Sequence, residues 1–275
     1  MKQSRKETAQ ETLQIQLQGF YKYEGRRIDF AEAQKHSEEG SRLISPEEGA
    51  ALVRDLPTMS AEGPHAVCSV ANESTVKAIM DHTEAGKDRV GVLNFASAKN
   101  AGGGFLNGAM AQEESLAASS GLYGTLLRHP AYYTVNRACR SMMYTDYAIY
   151  SPEVVFFRDD RYALLPRPVV ASVLTLPAVN YGQVMQKGED SGVAERVMKD
   201  RMRLALAIFA NMEAKHLILG AYGCGVFRND PMKVARWWRE LLEDEHMGTL
   251  FMDVRFAVLD AKDGKCIRAF DNTFH

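Results

Sequence analysis

Two short runs in the 275-residue chain carry residue types that do chemistry when they are brought together. Gly102-Gly103-Gly104 is followed, after the seven-residue spacer Phe105 to Ala111, by Gln112-Glu113-Glu114. A carboxylic acid can give a proton to a departing oxygen and, as carboxylate, take one from water. Consecutive glycines adopt backbone angles closed to other residues and let a ligand approach the main chain. They also cost conformational entropy on folding, so a triplet is an expensive linker where a short turn would serve. Each half also has a plain structural reading, as a flexible loop and as acids that complement a helix N-terminus. The helix dipole favours the ionised acid, whereas burial and a like-charged neighbour favour the neutral one. The residues alone leave open which wins.

Two more loops have comparable character. Asn72-Glu73-Ser74-Thr75 follows the apolar run "HAVCSVA" and opens a helix, where Asn and Ser are common caps. The stretch "YGCGVFRNDP" holds Gly223, Cys224, Gly225, Val226 and Phe227 between the apolar "HLILGA" and a helix that begins near Asp230-Pro231. A glycine-bearing turn of this kind offers N–H groups to a phosphate. It is not a P-loop, because no Gly-Lys-Ser/Thr follows. It also departs from the spacing of a dinucleotide fingerprint, which belongs after the first strand. Phe227 reads either as core or as a platform for a sugar or base.

These loops need a scaffold, and the sequence from about residue 64 supplies one. Short apolar runs alternate with helix-length segments: "HAVCSVA", "VGVLNFAS", "VVASVLTLPA", "HLILGAYG" and "FMDVRFAVLD" are each read as a strand. Between them stand "STVKAIMDHT", "EESLAASSGLYGTLLR", "AERVMKDRMRLALAIFANM" and "PMKVARWWRELLEDE" as helices. Leu116, Ser120, Tyr123 and Leu127 are expected on the inward face of the second, and Val197, Leu204 and Ile208 share one face of the third. The alternation indicates an α/β fold with a largely parallel sheet. In such sheets ligands bind outside the carboxyl ends of the strands, in the loops already singled out. Residues 1–58 read as an accessory helical segment with little strand signal, and 59–275 as the α/β core. Ser45, Pro46 and Glu48 form a helix-start signature within the first part.

A net charge of −2 argues against affinity built on a broad phosphate-binding surface, so no direct DNA binding is expected. Cys68, Cys139, Cys224 and Cys266 are widely spaced, without a CxxC pair or His cluster. That disfavours a disulfide framework or a metal site and fits a reducing cytoplasm. The N-terminal "MKQSRKETAQETLQ" has no apolar core of a signal peptide, and no run approaches a membrane span.

The combined motif resembles a known family. "GGGFLNGAMAQEE" fits the signature of poly(ADP-ribose) glycohydrolases, and "VLNFASAKNAGGG" with "YGCGVFRNDP" resembles the bacterial type of that enzyme, a macrodomain. The likeness extends to "TAQETLQIQLQGFY" and to "YSPEVVFFRDD" with "VLTLPAVN", hence over nearly the whole chain. It implies a mixed sheet sandwiched between helices, with an N-terminal extension. It also implies hydrolysis of the ribose–ribose O-glycosidic bond of poly(ADP-ribose), mainly at chain ends, with ADP-ribosylated proteins as carriers of the substrate. Glu114 would be the catalytic acid/base and Glu113 would hold ribose hydroxyls, with Gln112 completing the triplet. Asn100 and the backbone of Gly102, Gly103 and Gly104 would position the reacting ribose. Gly223 to Phe227 would wrap the diphosphate, and Glu73 would meet the adenine amino group. No metal or cofactor is implied. Ordinary glycosidases flank the bond with two carboxylates about 5 to 9.5 Å apart. Adjacent helical residues point roughly 100° apart, so one carboxyl moving the proton while the other holds substrate suits this spacing better. A non-catalytic ADP-ribose reader is the alternative, since it needs the glycine loops but no acid at the bond. An NAD-dependent oxidoreductase is a third reading, without its fingerprint.

Overall fold

The computed structural model describes residues 4–57, 62–262 and 264–274. The boundary expected between residues 58 and 59, and the first three residues of the N-terminal stretch, lie outside the described residues. Residues 4–57 form α1 (Arg5–Gln18), β1 (Phe20–Tyr23), β2 (Arg26–Asp29), α2 (Ala31–Gly40), β3 (Arg42–Ile44) and α3 (Pro46–Arg54). The three helices match the reading of this segment, and the expected Ser45 cap is present, its hydroxyl accepting from the Glu48 amide at 3.2 Å. The three short strands were not legible. β1 and β2 pair as a hairpin through Glu24 and Gly25, both at positive φ, the turn geometry that matches strand twist.

The rest runs β4 (Val67–Ala71), α4 (Thr75–Glu84), β5 (Val90–Ala96), α5 (Gln112–Ser119), α6 (Leu122–Leu127), α7 (Pro130–Ala138), β6 (Ala148–Arg158) and β7 (Leu164–Pro177). It continues through α8 (Tyr181–Lys187), α9 (Ser191–Asn211), β8 (His216–Leu219), α10 (Pro231–Arg239), β9 (Asp253–Ala257) and α11 (Lys265–Phe274). Seven strands make one sheet in the order β3-β6-β7-β5-β8-β9-β4. It is parallel from β7 to β4 and antiparallel where β6 joins β7 and β3 joins β6. All five expected strands belong to it. Successive residues alternate between its faces: Val92 and Val173 pack with Leu116, Leu122 and Tyr132, while Leu93 and Leu174 pack with Met198, Phe209 and Trp238. Leu204 and Ile208 are buried against the sheet, as their spacing predicts. The result is the expected mixed, largely parallel sheet between two helical layers. No helix among the described residues is long and apolar enough to cross a membrane.

Two readings are corrected. The run "EESLAASSGLYGTLLR" is two helices, not one. Ser120 between them is extended, bridges to Phe156 of β6, and leaves the Gly121 amide to donate to Val155 O at 2.9 Å. The sheet edge thus takes backbone groups that a continuous helix would have used internally. Leu116 and Ser120 are buried as expected, but Leu127 is 56% exposed. The apolar pattern also did not mark β6, because Pro152 reads as a strand breaker. A register shift between Ser151 and Val154 absorbs the proline and lets the strand continue.

The N-terminal segment supports the loop that precedes α5. Ala9 of α1 packs with Phe105 and Ala117, and Tyr123 meets Phe105 edge to face at 5.1 Å. Arg158, buried in β6, ties this helix down: it donates to Thr12 Oγ1 at 3.2 Å, Glu11 Oε2 at 2.7 Å and Tyr162 O at 2.7 Å. Removing the guanidinium strands these acceptors. Arg158→Ala is expected to lower stability by about 2–4 kcal/mol, read as a drop in the urea midpoint. An unchanged midpoint would show that α1 is held by other contacts.

Candidate active site

The loops after β4, β5, β8 and β9 meet at the carboxyl end of the sheet around one cavity of about 1080 Å³. The strand-end rule located it. Of the residues expected in the site, Glu73, Asn100, Gly103, Gly104, Gln112, Glu113, Glu114, Gly223, Cys224, Gly225, Val226 and Phe227 all line it. Gly102 is the exception. It is buried behind the wall against Phe105, Tyr123 and Ala117, and its amide reaches Glu113 instead.

Gln112 fixes the start of α5. Its carboxamide oxygen accepts from Phe95 N at 2.9 Å, and its Nε2 donates to Leu93 O at 2.8 Å and Thr75 Oγ1 at 3.2 Å. One side chain therefore fastens the helix N-terminus to the end of β5 and to α4. This sets the two glutamates against the glycine loop. Glu114 Oε1 accepts from the Gly104 amide at 2.8 Å, and its half-buried carboxyl faces the cavity. Gly103 (φ +60°) must be glycine for two reasons: the left-handed backbone, and a Cβ that would run into the Glu114 carboxyl.

Glu113 is only 3% exposed. Burial pushes its carboxyl up to about 8, against the lowering effect of the Ser97 amide, the Asn94 side chain and the Gly102 amide, while the Glu114 charge adds to the rise. The Ser97 bond is 2.7 Å and the Asn94 bond 3.4 Å; Asn94 is itself held by Thr175 Oγ1 at 3.1 Å. At Glu113 burial outweighs the hydrogen bonds that favour the charged form. The Asn94 carbonyl oxygen is buried without a partner among the described residues. Turning that amide over gives a proton on Glu113 an acceptor.

The "YGCGVFRNDP" loop is a backbone cradle. Asn229, buried, donates to Val179 O at 2.8 Å and Gly223 O at 3.0 Å and so fixes the turn. Gly223 (φ +72°) has no room for a Cβ, which would lie 2.6 Å from Asn229 Nδ2 and 2.7 Å from Ala178 Cβ. The amides of Gly225, Val226 and Phe227 have no acceptor among the described residues. Successive free N–H groups in a turn make an anion site that needs no side-chain charge. Phe227 is half-buried with its ring 6.0 Å from Tyr144, packed on the edge of the main core and lining the cavity. Glu73 stands beyond this loop, ion-paired through Oε1 to Arg255 Nε at 2.8 Å. Tyr123, Tyr133 and Arg137 also line the cavity and were missed. They come from α6 and α7, which follow the motif at helical rather than loop positions and carry no local signal.

The buried Glu113 makes a pH signature. A native carboxyl that holds its proton to about pH 8 costs stability progressively as pH rises from its ordinary value to that point. Glu113→Gln removes the titration. The melting temperature of the variant should gain on that of wild type between pH 5 and 9 and level off above about 8. A difference that stays constant across this range would show that Glu113 is ionised throughout.

The comparisons with known proteins follow this geometry. A family model described as "Microbial-type PARG, catalytic domain" matches residues 9–159. The crystal structure of poly(ADP-ribose) glycohydrolase from Thermomonospora curvata is 39% identical, with 98% of this chain and 99% of that chain covered and a TM-score of 0.93. The same enzyme bound to the inhibitor ADP-HPD is 38% identical over 98% and 99%, at a TM-score of 0.90. The Deinococcus radiodurans enzyme in complex with ADP-ribose is 45% identical over 88% and 97%, at 0.81. No curated protein matches.

Proposed function

The chain belongs to the family of microbial-type poly(ADP-ribose) glycohydrolases, and from that premise we propose how its own residues divide the work. It is a glycoside hydrolase acting on poly(ADP-ribose), and the non-catalytic reader gives way to that assignment. ADP-ribose lies along the cavity with adenine towards Glu73, the diphosphate on the free amides of Gly225, Val226 and Phe227, and the reacting ribose against Asn100, the Gly102 to Gly104 backbone and the Phe227 ring. Gly102 acts from behind, through Glu113. Gln112 serves by fixing α5, since its three hydrogen bonds are all to the protein.

Glu114 is the acid and base. One observation carries this: its Oε1 is fixed by the Gly104 amide while the carboxyl faces the cavity beside the glycine loop. It protonates the departing ribose oxygen, an oxocarbenium-like state forms at the anomeric carbon, and the resulting carboxylate takes a proton from the incoming water. The raised value at Glu113 favours the reverse assignment. Its carboxyl, however, is buried and held in place by bonds from Ser97, Asn94 and Gly102, so it has less freedom to reach a leaving group. As a neutral acid whose proton goes to Asn94, Glu113 can accept from a ribose hydroxyl without placing a charge beside Glu114. Action from chain ends, on polymer carried by ADP-ribosylated proteins and in the cytoplasm, completes the proposal; the four free cysteines suit that compartment.

Glu114→Gln is expected to stop release of ADP-ribose from the polymer, a loss of at least ~10²-fold for a group that moves the proton. ADP-ribose binding by calorimetry should persist. Wild-type turnover in the variant would sink the assignment of the acid, and wild type that binds without releasing product would restore the reader.

A further inference from the structure

Two of the four cysteines are partners in the cavity wall. Cys224 sits in the 223–227 turn and Cys266 in the first turn of α11. Both are half-buried, line the cavity and pack on the same core cluster. Cys68 and Cys139 are not among the described lining residues. The two thiols are in hydrogen-bond contact, the Cys224 S–H donating to the Cys266 sulfur. That bond holds Cys266 below the ordinary thiol value, against burial and the Asp260 charge, and it raises Cys224 together with burial. A place near a helix N-terminus acts on Cys266 in the same direction. One thiol is thus inclined to ionise, and its neighbour stands where it can attack that sulfur once it is oxidised.

The two sides of this contact are not equally fixed. Asp260 accepts from the Cys266 amide at 2.8 Å. Asp260 is itself locked to Asn72, whose Oδ1 accepts from its amide and whose Nδ2 donates to its carbonyl, both at 3.0 Å. Cys224 instead stands between Gly223, left-handed at φ +72°, and the exposed Gly225, which has open space where a Cβ would lie. The turn therefore yields before the helix does. We infer that Cys224 and Cys266 are an oxidation site, at which a peroxide makes a disulfide that draws the anion-binding turn towards α11 and weakens its hold on the ligand. The Cys266 thiolate takes one oxygen from hydrogen peroxide and becomes a sulfenic acid; hydroxide leaves and picks up the thiol proton as water. The Cys224 sulfur then attacks that sulfur, and its proton departs with the hydroxyl as a second water. Two thiols are oxidised by two electrons, and one peroxide is reduced to two waters. A disulfide sets its sulfurs about 2.05 Å apart, well inside a thiol–thiol hydrogen bond, so closure shifts the adjoining 225–227 amides. The bridge stands on the two thiols alone, while its effect on binding rests on the proposed function, in which those amides hold the diphosphate.

The test treats reduced wild type with hydrogen peroxide and maps cysteine-linked peptides by mass spectrometry. ADP-ribose affinity is measured by calorimetry before oxidation, after it, and again after dithiothreitol. A Cys224–Cys266 link should form, and the Kd for ADP-ribose should rise about tenfold, as for the loss of one charge-assisted hydrogen bond. Dithiothreitol should restore the affinity, which oxidised methionine would not allow. Saturating ADP-ribose should slow the link, because a ligand in the cavity covers both thiols. Cys266→Ser should bind like reduced wild type and keep its affinity in peroxide, whereas Cys139→Ser should lose affinity as wild type does. Failure of the link to form overturns the inference. So does a link that leaves Kd unchanged, or a loss in Cys266→Ser equal to that of wild type. Reduced wild type that binds no ADP-ribose overturns the effect on binding together with the reading on which it rests, and the link is then decided by mass.

Discussion

Taking a carboxyl out of water is costly unless it is paired or gives up its charge, and Glu113 is the point where this chain meets that cost. Among the described residues no guanidinium or ammonium hydrogen-bonds it. The neutralising device is a set of N–H donors (Ser97, Asn94, Gly102) together with a proton retained to about pH 8. Much of the site exists to keep that group in place. Gln112 stitches α5 to the end of β5, and the glycine loop folds back to offer amides to both glutamates. The N-terminal helix supports the far side of that loop through Phe105. Two adjacent residues thereby acquire different environments. One is enclosed and hydrogen-bonded, and the other is half-exposed and facing the space where a ligand lies.

The electrostatics of the cavity follow the same economy. An anionic ligand must enter a space lined by Glu73, Glu113 and Glu114. Glu73 is partly offset by Arg255, and Glu113 by its proton. Free amides in the 225–227 turn are then available to an anion, and among the described lining residues no lysine or arginine belongs to that turn. Net charge near zero, which argued against a broad phosphate-binding surface, is consistent with recognition carried by backbone groups.

Much of this was legible in the residues. The five strands, the strand-end location, the three loops and their convergence all follow from apolar periodicity and glycine placement. Gly103 shows why: a left-handed backbone against a carboxyl leaves a mark that only glycine satisfies. What was not legible depends on partners distant in sequence. The break at Ser120 exists because β6 offers it a bridge, and β6 itself was hidden by Pro152. The raised carboxyl of Glu113 is a property of burial, which no local pattern reports. Gln112 looks like a ligand group in the motif and proves to be bonded within the protein. Tyr133 and Arg137 join the cavity only because α7 folds across the loop.

The central claim is that Glu113 is neutral in the working site and Glu114 is the carboxyl that moves the proton. ADP-ribose has no group of its own that ionises between pH 6 and 10, so its affinity over that range reports on the protein. For wild type, calorimetry should show affinity falling above about pH 8, as an ionised Glu113 sets a second charge against the bound diphosphate. For Glu113→Gln it should show no such fall. An identical fall in both proteins, or none in either, would contradict the account.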